Sequence, residues 1–408
     1  MREVRTVEEY RDELLQLVGP AERRETVPLA ESVGRVLAAD VVARVPIPAF
    51  TNSAMDGYAI RFADVDRPPD GSGRGKSSGV QLKVVGEVPA GSQDDPQIGP
   101  GECVRIMTGA PLPTSADTVV AVEQTNGGTD VVTIDTVPGA PGRHVREAGE
   151  VVRAGGLVAR SGTVVTAGVA GAIAATGSAE VPVRPRPRVA IGVTGDELVD
   201  HGADLLRGQI HDSNGIALAA QLAAAGADVL PPARIPDRAF DLSAWLDRVD
   251  ADLVVLTGGA SVGAYDVTRD VLVEEGAFRT VKMQPGKPQG WAVWRGTPVV
   301  ALPGNPISVV ISTAMFVVPM LDRMLGRPAR RWFPVVAGSG WKSPAGRRQF
   351  VPVALEVGED ARGIATPVHS LGSASHAVPA LVGADGIAEI AEDVTTVRAG
   401  DLIWARRW

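Results

Sequence analysis

The sequence predicts a multidomain α/β plus β protein organised around a central doubly wound, mostly parallel sheet, and three observations carry that expectation. Between residues 186 and 327, apolar strand-like runs alternate with helical periods; this is the pattern of strand-helix units whose sheet is buried on both faces. The flanking stretches are rich in Gly, Pro and short alternating runs, which suit small β-rich units. The chain has 408 residues, more than one core serves, so several domains are expected.

Each element follows from local pattern. Val7, Tyr10, Leu14, Leu15 and Val18 recur at helical spacing behind Thr6 and acidic Glu8 and Glu9, predicting a capped amphipathic helix. From PIPAF at residue 46 the texture changes to β-rich, with a polar surface loop expected over residues 67–79. Residues 141–182 are dominated by Gly, Ala and Val and are expected to return beside the N-terminal helix. The RPRPR stretch at 184–188 disfavours regular structure and marks a boundary. Expected strands cover residues 189–193, 227–230, 253–256 and 298–302, with helices over 213–225, 242–248, 268–275 and 306–325. The resulting division is a split N-terminal helical and extended domain (1–45 and 141–182), a β-rich domain (46–140), an α/β domain (183–327) and a C-terminal β domain (328–408).

Composition excludes several functions. A net charge of −8 with only 4% aromatic residues argues against nucleic acid as a partner, because a phosphate backbone is repelled and stacking platforms are scarce. The single cysteine, Cys103, can form no intrachain disulfide and no thiolate cluster, which fits a reducing compartment. The charged opening MREVRTVEEYRDELL predicts no secretory leader, and a cytoplasmic location is expected. Residues 296–321 carry no formal charge, but Pro303-Gly304-Asn305-Pro306 interrupts them. A strand, turn and buried helix are therefore expected rather than a membrane span.

Three strands of the α/β domain run into glycine-containing turns: Thr194-Gly195-Asp196-Glu197, Thr257-Gly258-Gly259-Ala260-Ser261-Val262-Gly263, and Pro303-Gly304-Asn305-Pro306. Glycine lets backbone N–H groups approach an anion closely, and the helix that follows adds a favourable dipole. A phosphate-bearing ligand is the natural guess, beyond the carboxyl ends of the strands. Carboxylates gather at the same rim: Asp196, Glu197, Asp237 and Asp266, with Asp56 of the SAMDGYA turn as a further candidate. Oxygen-only ligands suit Mg2+. Helix capping is the alternative for Asp196 and Asp237. The five histidines show no spacing suited to a metal cage, and Ser261 and Ser308 lack a nucleophile-elbow context.

Eight ordered segments, PIPAFTNSAMDGYA (46–59), GEVPAG (86–91), RIMTGAPLP with DTVV and Glu123 (105–123), TGDEL (194–198), DSN (212–214), TGGASVGAYD (257–266), PGKP (285–288) and LPGNPIS (302–308), resemble bacterial MoeA-type molybdopterin molybdenumtransferases and the C-terminal domain of gephyrin. The resemblance covers nearly the whole chain. It implies an elongated four-domain homodimer with active sites formed between subunits. It also implies that molybdate is inserted into adenylylated molybdopterin with Mg2+-dependent loss of AMP, and that contact with other cofactor-assembly enzymes is a possibility. Asp56, Thr108, Glu197, Asp237 and Asp266 fall on the family's functional polar positions, and Pro303 and Pro306 on its pterin-loop prolines. On this reading Glu197, Asp237 and Asp266 hold the metal. Thr194, Gly195, Asp196, Ser213, Gly258, Gly259, Ser261, Gly263, Pro303, Gly304, Asn305, Pro306 and Ser308 meet the pterin substrate. Lys287 and Arg347 or Arg348 attract the oxyanion, Lys287 being counted with the catalytic residues and Arg348 with the substrate-binding ones. Two departures stand out: Gln284 occupies a position where the family often has lysine, and Arg238 one where an acidic pair is common. A non-catalytic molybdopterin-binding or scaffold paralogue, or a pterin adenylyltransferase, is compatible with the same motifs.

Overall fold

Continuous β-branched runs form the middle of an eight-stranded sheet. Its order is Glu3–Arg5, Gly276–Val281, Pro288–Trp294, Thr297–Leu302, Leu253–Thr257, Arg188–Thr194 and Asp228–Val229, with Ala233–Ile235 also paired to Arg188–Thr194. The structure, a computed structural model, describes residues 3–66, 79–258, 267–369 and 378–408. The chain divides into two units, one of Met1–Glu25, Gly34–Ala38 and Val183–Trp408 and the other of Thr26–Val33 and Ala39–Pro182.

In the first unit, Arg188–Thr194 runs parallel to Asp228–Val229 on one side and to Leu253–Thr257 on the other. Leu253–Thr257 in turn runs parallel to Thr297–Leu302. The chain thus winds outward on one side and then crosses to the other, which leaves a switch point beyond Thr194 and Thr257. The sheet is mixed at one edge: Pro288–Trp294 lies antiparallel to both Gly276–Val281 and Thr297–Leu302. Helices Asn214–Ala224, Ala239–Leu246 and Val267–Leu272 lie where the helical periods predict them.

The uncharged stretch resolves into strand Thr297–Leu302 and a 20-residue helix, Pro306–Leu325, that is long and apolar enough to cross a membrane but 78% buried within the protein. Its middle, Thr313–Val317, is π-helical, with the Val318 N–H bonded to the Thr313 carbonyl. The next residue, Pro319, has no N–H to give, so the Ala314 carbonyl lacks a helical partner. Arg406 Nη2 from the last strand donates to it instead.

The N-terminal helix Val7–Gln16 carries the expected cap: Thr6 Oγ1 accepts from Glu9 N (3.1 Å) while Thr6 N donates to Glu9 Oε2 (2.8 Å). Its expected partnership with residues 141–182 is not where the structure places it. Strand Glu3–Arg5 adds to the α/β sheet parallel to Gly276–Val281, and the helix buries Tyr10 and Leu14 in that unit's core. Tyr10 OH donates to the Gly290 carbonyl (3.0 Å), and its ring meets Phe316 edge-on at 4.9 Å. Glu13 fixes the helix there: it accepts from Trp291 Nε1 (3.0 Å) and pairs with Arg5 and Arg279.

The C-terminal residues form a sheet ordered Met283–Gln284, Arg348–Val357, Gly363–Pro367, Phe333–Ala337, Leu402–Arg407 and Gly386–Ile390, with the last strand pairing back to Arg348–Val357. That return closes five strands around Val335, Val351, Val353, Ala388 and Ile403. Met283–Gln284 lies parallel to the start of Arg348–Val357, so the PGKP turn is tied to this β unit.

The second unit centres on a five-stranded sheet, Thr118–Ala121, Gly57–Ile60, Glu102–Ile106, Val80–Val88 and Val131–Ile134, with an apolar cluster on each face. Here Val41–Val42 pairs with Leu157–Ala159, and Glu25–Pro28 with Glu180–Val183. Residues 26–45 and 141–182 therefore do come together, without the helix.

Candidate active site at the switch point

A cleft of about 540 Å³ opens at the carboxyl ends of the parallel strands, the size of a small-molecule site. Thr194, Gly195, Glu197, Ser213, Asp237, Gly258, Lys287, Pro303, Gly304, Asn305, Pro306 and Ser308 all line it. They come from the ends of Arg188–Thr194, Leu253–Thr257 and Thr297–Leu302, together with Ser213, Asp237 and Lys287 from neighbouring loops, and Asn214 ties two of those strand ends together. Its Nδ2 donates to Thr257 Oγ1 (3.2 Å) and to the Gly304 carbonyl (2.8 Å), while Thr257 Oγ1 donates to the Pro303 carbonyl (3.1 Å). Gly258 is obligatory: its φ is +96°, and a Cβ would stand 2.4 Å from the Thr194 carbonyl oxygen. Among the described residues, the buried Thr194 Oγ1 and Asn214 Oδ1 have no hydrogen-bond partner. Buried polar atoms are rarely left unsatisfied, so two groups at the cleft wall are available to a ligand.

The helix that starts at Pro306 presents its N-terminus to the cleft, with proline in the first turn and Ser308 buried. Its first N–H groups have no intrahelical acceptor, and the helix dipole favours an anion there. The Gln284–Gly286 turn is fixed from behind, since buried Gln289 Nε2 donates to the Gly286 carbonyl (2.7 Å) and to Ser312 Oγ (2.6 Å). This turn brings Lys287 and Gln284 to the cleft, and Arg347 reaches it from the β unit. Arg347 Nη1 donates to Gln284 Oε1 (3.1 Å).

The acidic rim forms as a cluster. Asp196 N donates to Asp237 Oδ2 and Asp237 N to Asp196 Oδ1, each at 3.2 Å. The Asp237 carboxyl is raised above its ordinary pKa by partial burial and by the charges of Asp196 and Glu197, against a lowering backbone hydrogen bond. Glu197 folds back toward Gly195, whose hypothetical Cβ would lie 2.8 Å from Glu197 Oε2. Among the described residues no three acidic, His or Cys side chains converge closely enough to enclose a metal ion. Gly259, Ser261, Gly263 and Asp266 lie outside the described residues.

The structure separates two neighbouring arginines. Arg348, expected at the substrate, pairs instead with Glu8, Glu389 (3.0 Å) and Glu392 (3.3 Å); Arg347 is the one that lines the cleft. Strand alternation from the first residue of Arg348–Val357 sends the two side chains apart. Asn214 and Asp212 are wall residues the sequence reading did not single out, although both sit in the DSN segment. Asp212 Oδ1 accepts from Gly215 N (2.9 Å), anchoring the start of helix Asn214–Ala224.

In the second unit, Asp56 Oδ1 accepts from both Thr108 N (2.7 Å) and Thr108 Oγ1 (2.8 Å). These bonds, backbone first, hold the exposed Asp56 carboxyl below its ordinary pKa. Asp95 and Thr114 repeat the arrangement in the same unit, so the pairing by itself is a loop clamp.

Sheet order, strand-end turns and the helix N-terminus together define an α/β protein with a cleft suited to an anionic small molecule at its switch point. Residues 5–177 match the MoeA N-terminal region (domain I and II), residues 190–323 the probable molybdopterin binding domain, and residues 334–405 the MoeA C-terminal region (domain IV). The chain is 42% identical to molybdopterin molybdenumtransferase 2 of Mycobacterium tuberculosis, over 97% of this chain and 98% of the relative. It is 39% identical to the molybdopterin molybdenumtransferase of Nostoc sp., over 76% and 71%. The crystal structure of a molybdopterin biosynthesis MoeA protein from Pyrococcus horikoshii OT3 superposes with a TM-score of 0.83 at 27% identity, covering all of both chains. The chain belongs to the MoeA family and is a transferase of molybdenum cofactor biosynthesis.

Proposed function

We propose that this enzyme transfers molybdenum from molybdate into adenylylated molybdopterin, with magnesium-dependent release of AMP, as a homodimer in the cytoplasm. The observation that carries the proposal is one cleft lined by three strand-end turns, two of them tied together by Asn214, beside an acidic rim and two cations, Lys287 and Arg347. The turns and the Pro306 helix N-terminus suit the pterin and its phosphate. Lys287 and Arg347 attract molybdate, an oxyanion.

The acidic rim fits magnesium. That ion needs only one or two carboxylates because it keeps waters and substrate oxygens as its other ligands. Glu197 and Asp237 would hold it, with Asp266; the Asp237 carboxyl is raised by burial first and then by the charges of Asp196 and Glu197, and that repulsion is what a divalent cation relieves. Bound there, magnesium would offset negative charge at the phosphoanhydride. The chain's own part is positional: Asn214 and Gly258 set the turns, the Gln289 bonds hold the PGKP turn, and Gln284 orients Arg347.

The test is to incubate the purified protein with adenylylated molybdopterin, molybdate and magnesium and to measure AMP. Release that requires both ions is the expected result. Tight pterin binding without AMP release would leave a scaffold protein, and adenylylation of pterin from ATP without molybdate would make the protein an adenylyltransferase. Asp266→Ala should abolish AMP release while sparing pterin binding.

A further inference from the structure

A second basic cavity lies apart from the cleft lining, where the N-terminal helix, the end of the long helix and the last strand meet. It measures about 630 Å³ and is lined by Arg11, Arg323, Arg327, Arg330 and Arg406 against Asp12 and Asp322. Five arginines against two aspartates is a local excess of positive charge in a chain of net charge −8. Two of the arginines are held by main chain: Arg323 Nε donates to the Val18 carbonyl (2.9 Å), and Arg327 donates to the carbonyls of Ala225 (2.6 Å) and Gly34 (2.8 Å). Asp322, itself buried, is already engaged by Arg330 at 3.1 Å and Arg327 at 4.0 Å.

Arg406 is the telling residue. It is 7% exposed, its guanidinium lies 4.9 Å from the centre of the Trp332 ring, and its hydrogen bonds go to the Ala314 carbonyl and Met315 Sδ. That contact explains why an arginine is here, since it satisfies the carbonyl orphaned by Pro319. It does not neutralise the charge: among the described residues Arg406 has no salt bridge. Burial and the nearby Arg330 and Arg11, against the opposing charges of Glu389 and Asp322, bring its pKa down to about 10, so it remains a cation at neutral pH. A buried charge is ordinarily paired. Among the described residues no bond or ion pair engages the Arg11 side chain, and it too lines the cavity.

We propose that this arginine cavity binds a small phosphate-type dianion, held by Arg11, Arg330 and Arg406 beside Trp332, at a site separate from the transferase cleft. Planar guanidinium groups converging on one space match the fork geometry that recognises phosphate oxygens. The shared chemistry has two sources, free phosphate and the phosphate group of a small ester.

The probes are inorganic phosphate and glycerol 3-phosphate, titrated calorimetrically into the full chain. Saturable binding of either is expected, the tighter one marking the source, and it should weaken with added salt. Arg11→Ala should weaken it by about tenfold and Arg11→Glu by about a hundredfold. Asp12→Ala should tighten it by about threefold, by removing a repelling charge. Arg11 carries the test because Arg406 also caps Ala314, so its loss could unfold the helix end. The double variant Lys287→Ala, Arg347→Ala should leave this binding unchanged. No saturable binding below about 10 mM, indifference to Arg11→Glu, or loss in the Lys287, Arg347 variant instead would overturn the proposal.

Discussion

Asn214→Asp keeps the shape of the side chain that ties the Thr257 and Gly304 strand ends together while exchanging its donors for an acceptor. The native Nδ2 makes two bonds, to Thr257 Oγ1 and the Gly304 carbonyl. Each contributes about 0.5–1.5 kcal/mol, so their loss removes roughly 1–3 kcal/mol. The new carboxyl, at a position only 8% exposed, would face those same oxygens, which raises its folded-state pKa above the unfolded value of about 3.9. A carboxyl raised on folding penalises the native state as pH climbs through the folded value. Below about pH 4 the protonated group can return one donor, so the deficit shrinks. Urea unfolding followed by tryptophan fluorescence should show a gap from wild type of about 1 kcal/mol at low pH that widens to 3 kcal/mol or more at pH 7.5. Molybdopterin affinity should fall with it. A variant as stable as wild type at pH 7.5, or a gap that does not change with pH, would refute the role given to Asn214.

The other predictions test the glycine turns, the acidic rim and the anion side. Gly258→Ala, at φ +96° with a Cβ 2.4 Å from a carbonyl oxygen, should cost more than about 2 kcal/mol and abolish pterin binding. Gly304→Ala, whose Cβ would find its nearest neighbour at 3.6 Å, should stay within about 0.5 kcal/mol of wild type in the same denaturation assay. Asp237→Asn removes a carboxylate that burial and, less strongly, the charges of Asp196 and Glu197 disfavour, so the metal-free protein should melt slightly higher at neutral pH while the magnesium needed for half-maximal AMP release increases. In wild type, half-maximal magnesium should rise as pH falls, because a raised carboxyl protonates at higher pH than an ordinary one. Gln284→Glu should raise the KM for molybdate more than Gln284→Ala does, with molybdopterin affinity little changed in either.

How much of this was legible beforehand differs by element. The parallel strands were readable because burial on both faces demands unbroken runs such as Val189–Val193 and Leu253–Leu256. Gly276–Val281 and Pro288–Trp294 were missed because glycine, proline and polar residues dilute their pattern, and their place depends on pairing with each other. The N-terminal helix was legible down to its Thr6–Glu9 cap, since capping is local. Its destination was not, because an apolar stripe says that a face is buried and not against what; Glu13 meeting Trp291 and Arg279 is a contact across more than 260 residues of sequence. Likewise the glycine turns announced the cleft, whereas nothing local singles out Asn214, because its two acceptors, Thr257 Oγ1 and the Gly304 carbonyl, lie at the ends of other strands.

Arg347 and Arg348 show why charge in a sequence is not charge in a site. Both are cations one residue apart, yet Arg348 is surrounded by Glu8, Glu389 and Glu392, and its field is largely cancelled. Arg347 is held by a neutral amide, Gln284, which fixes its direction and leaves its charge available to an anion. A lysine at 284 would add a second cation but repel Arg347 and remove its acceptor. The glutamine therefore exchanges one unit of charge for one oriented guanidinium. Arg238 does not restore the balance, because it pairs with Asp241 at 3.8 Å on the exposed start of helix Ala239–Leu246 and does not line the cleft. On the proposed function, the oxyanion would therefore meet two cations of different kind: Lys287, a point charge on a flexible stem, and Arg347, an oriented fork whose geometry depends on a single amide oxygen.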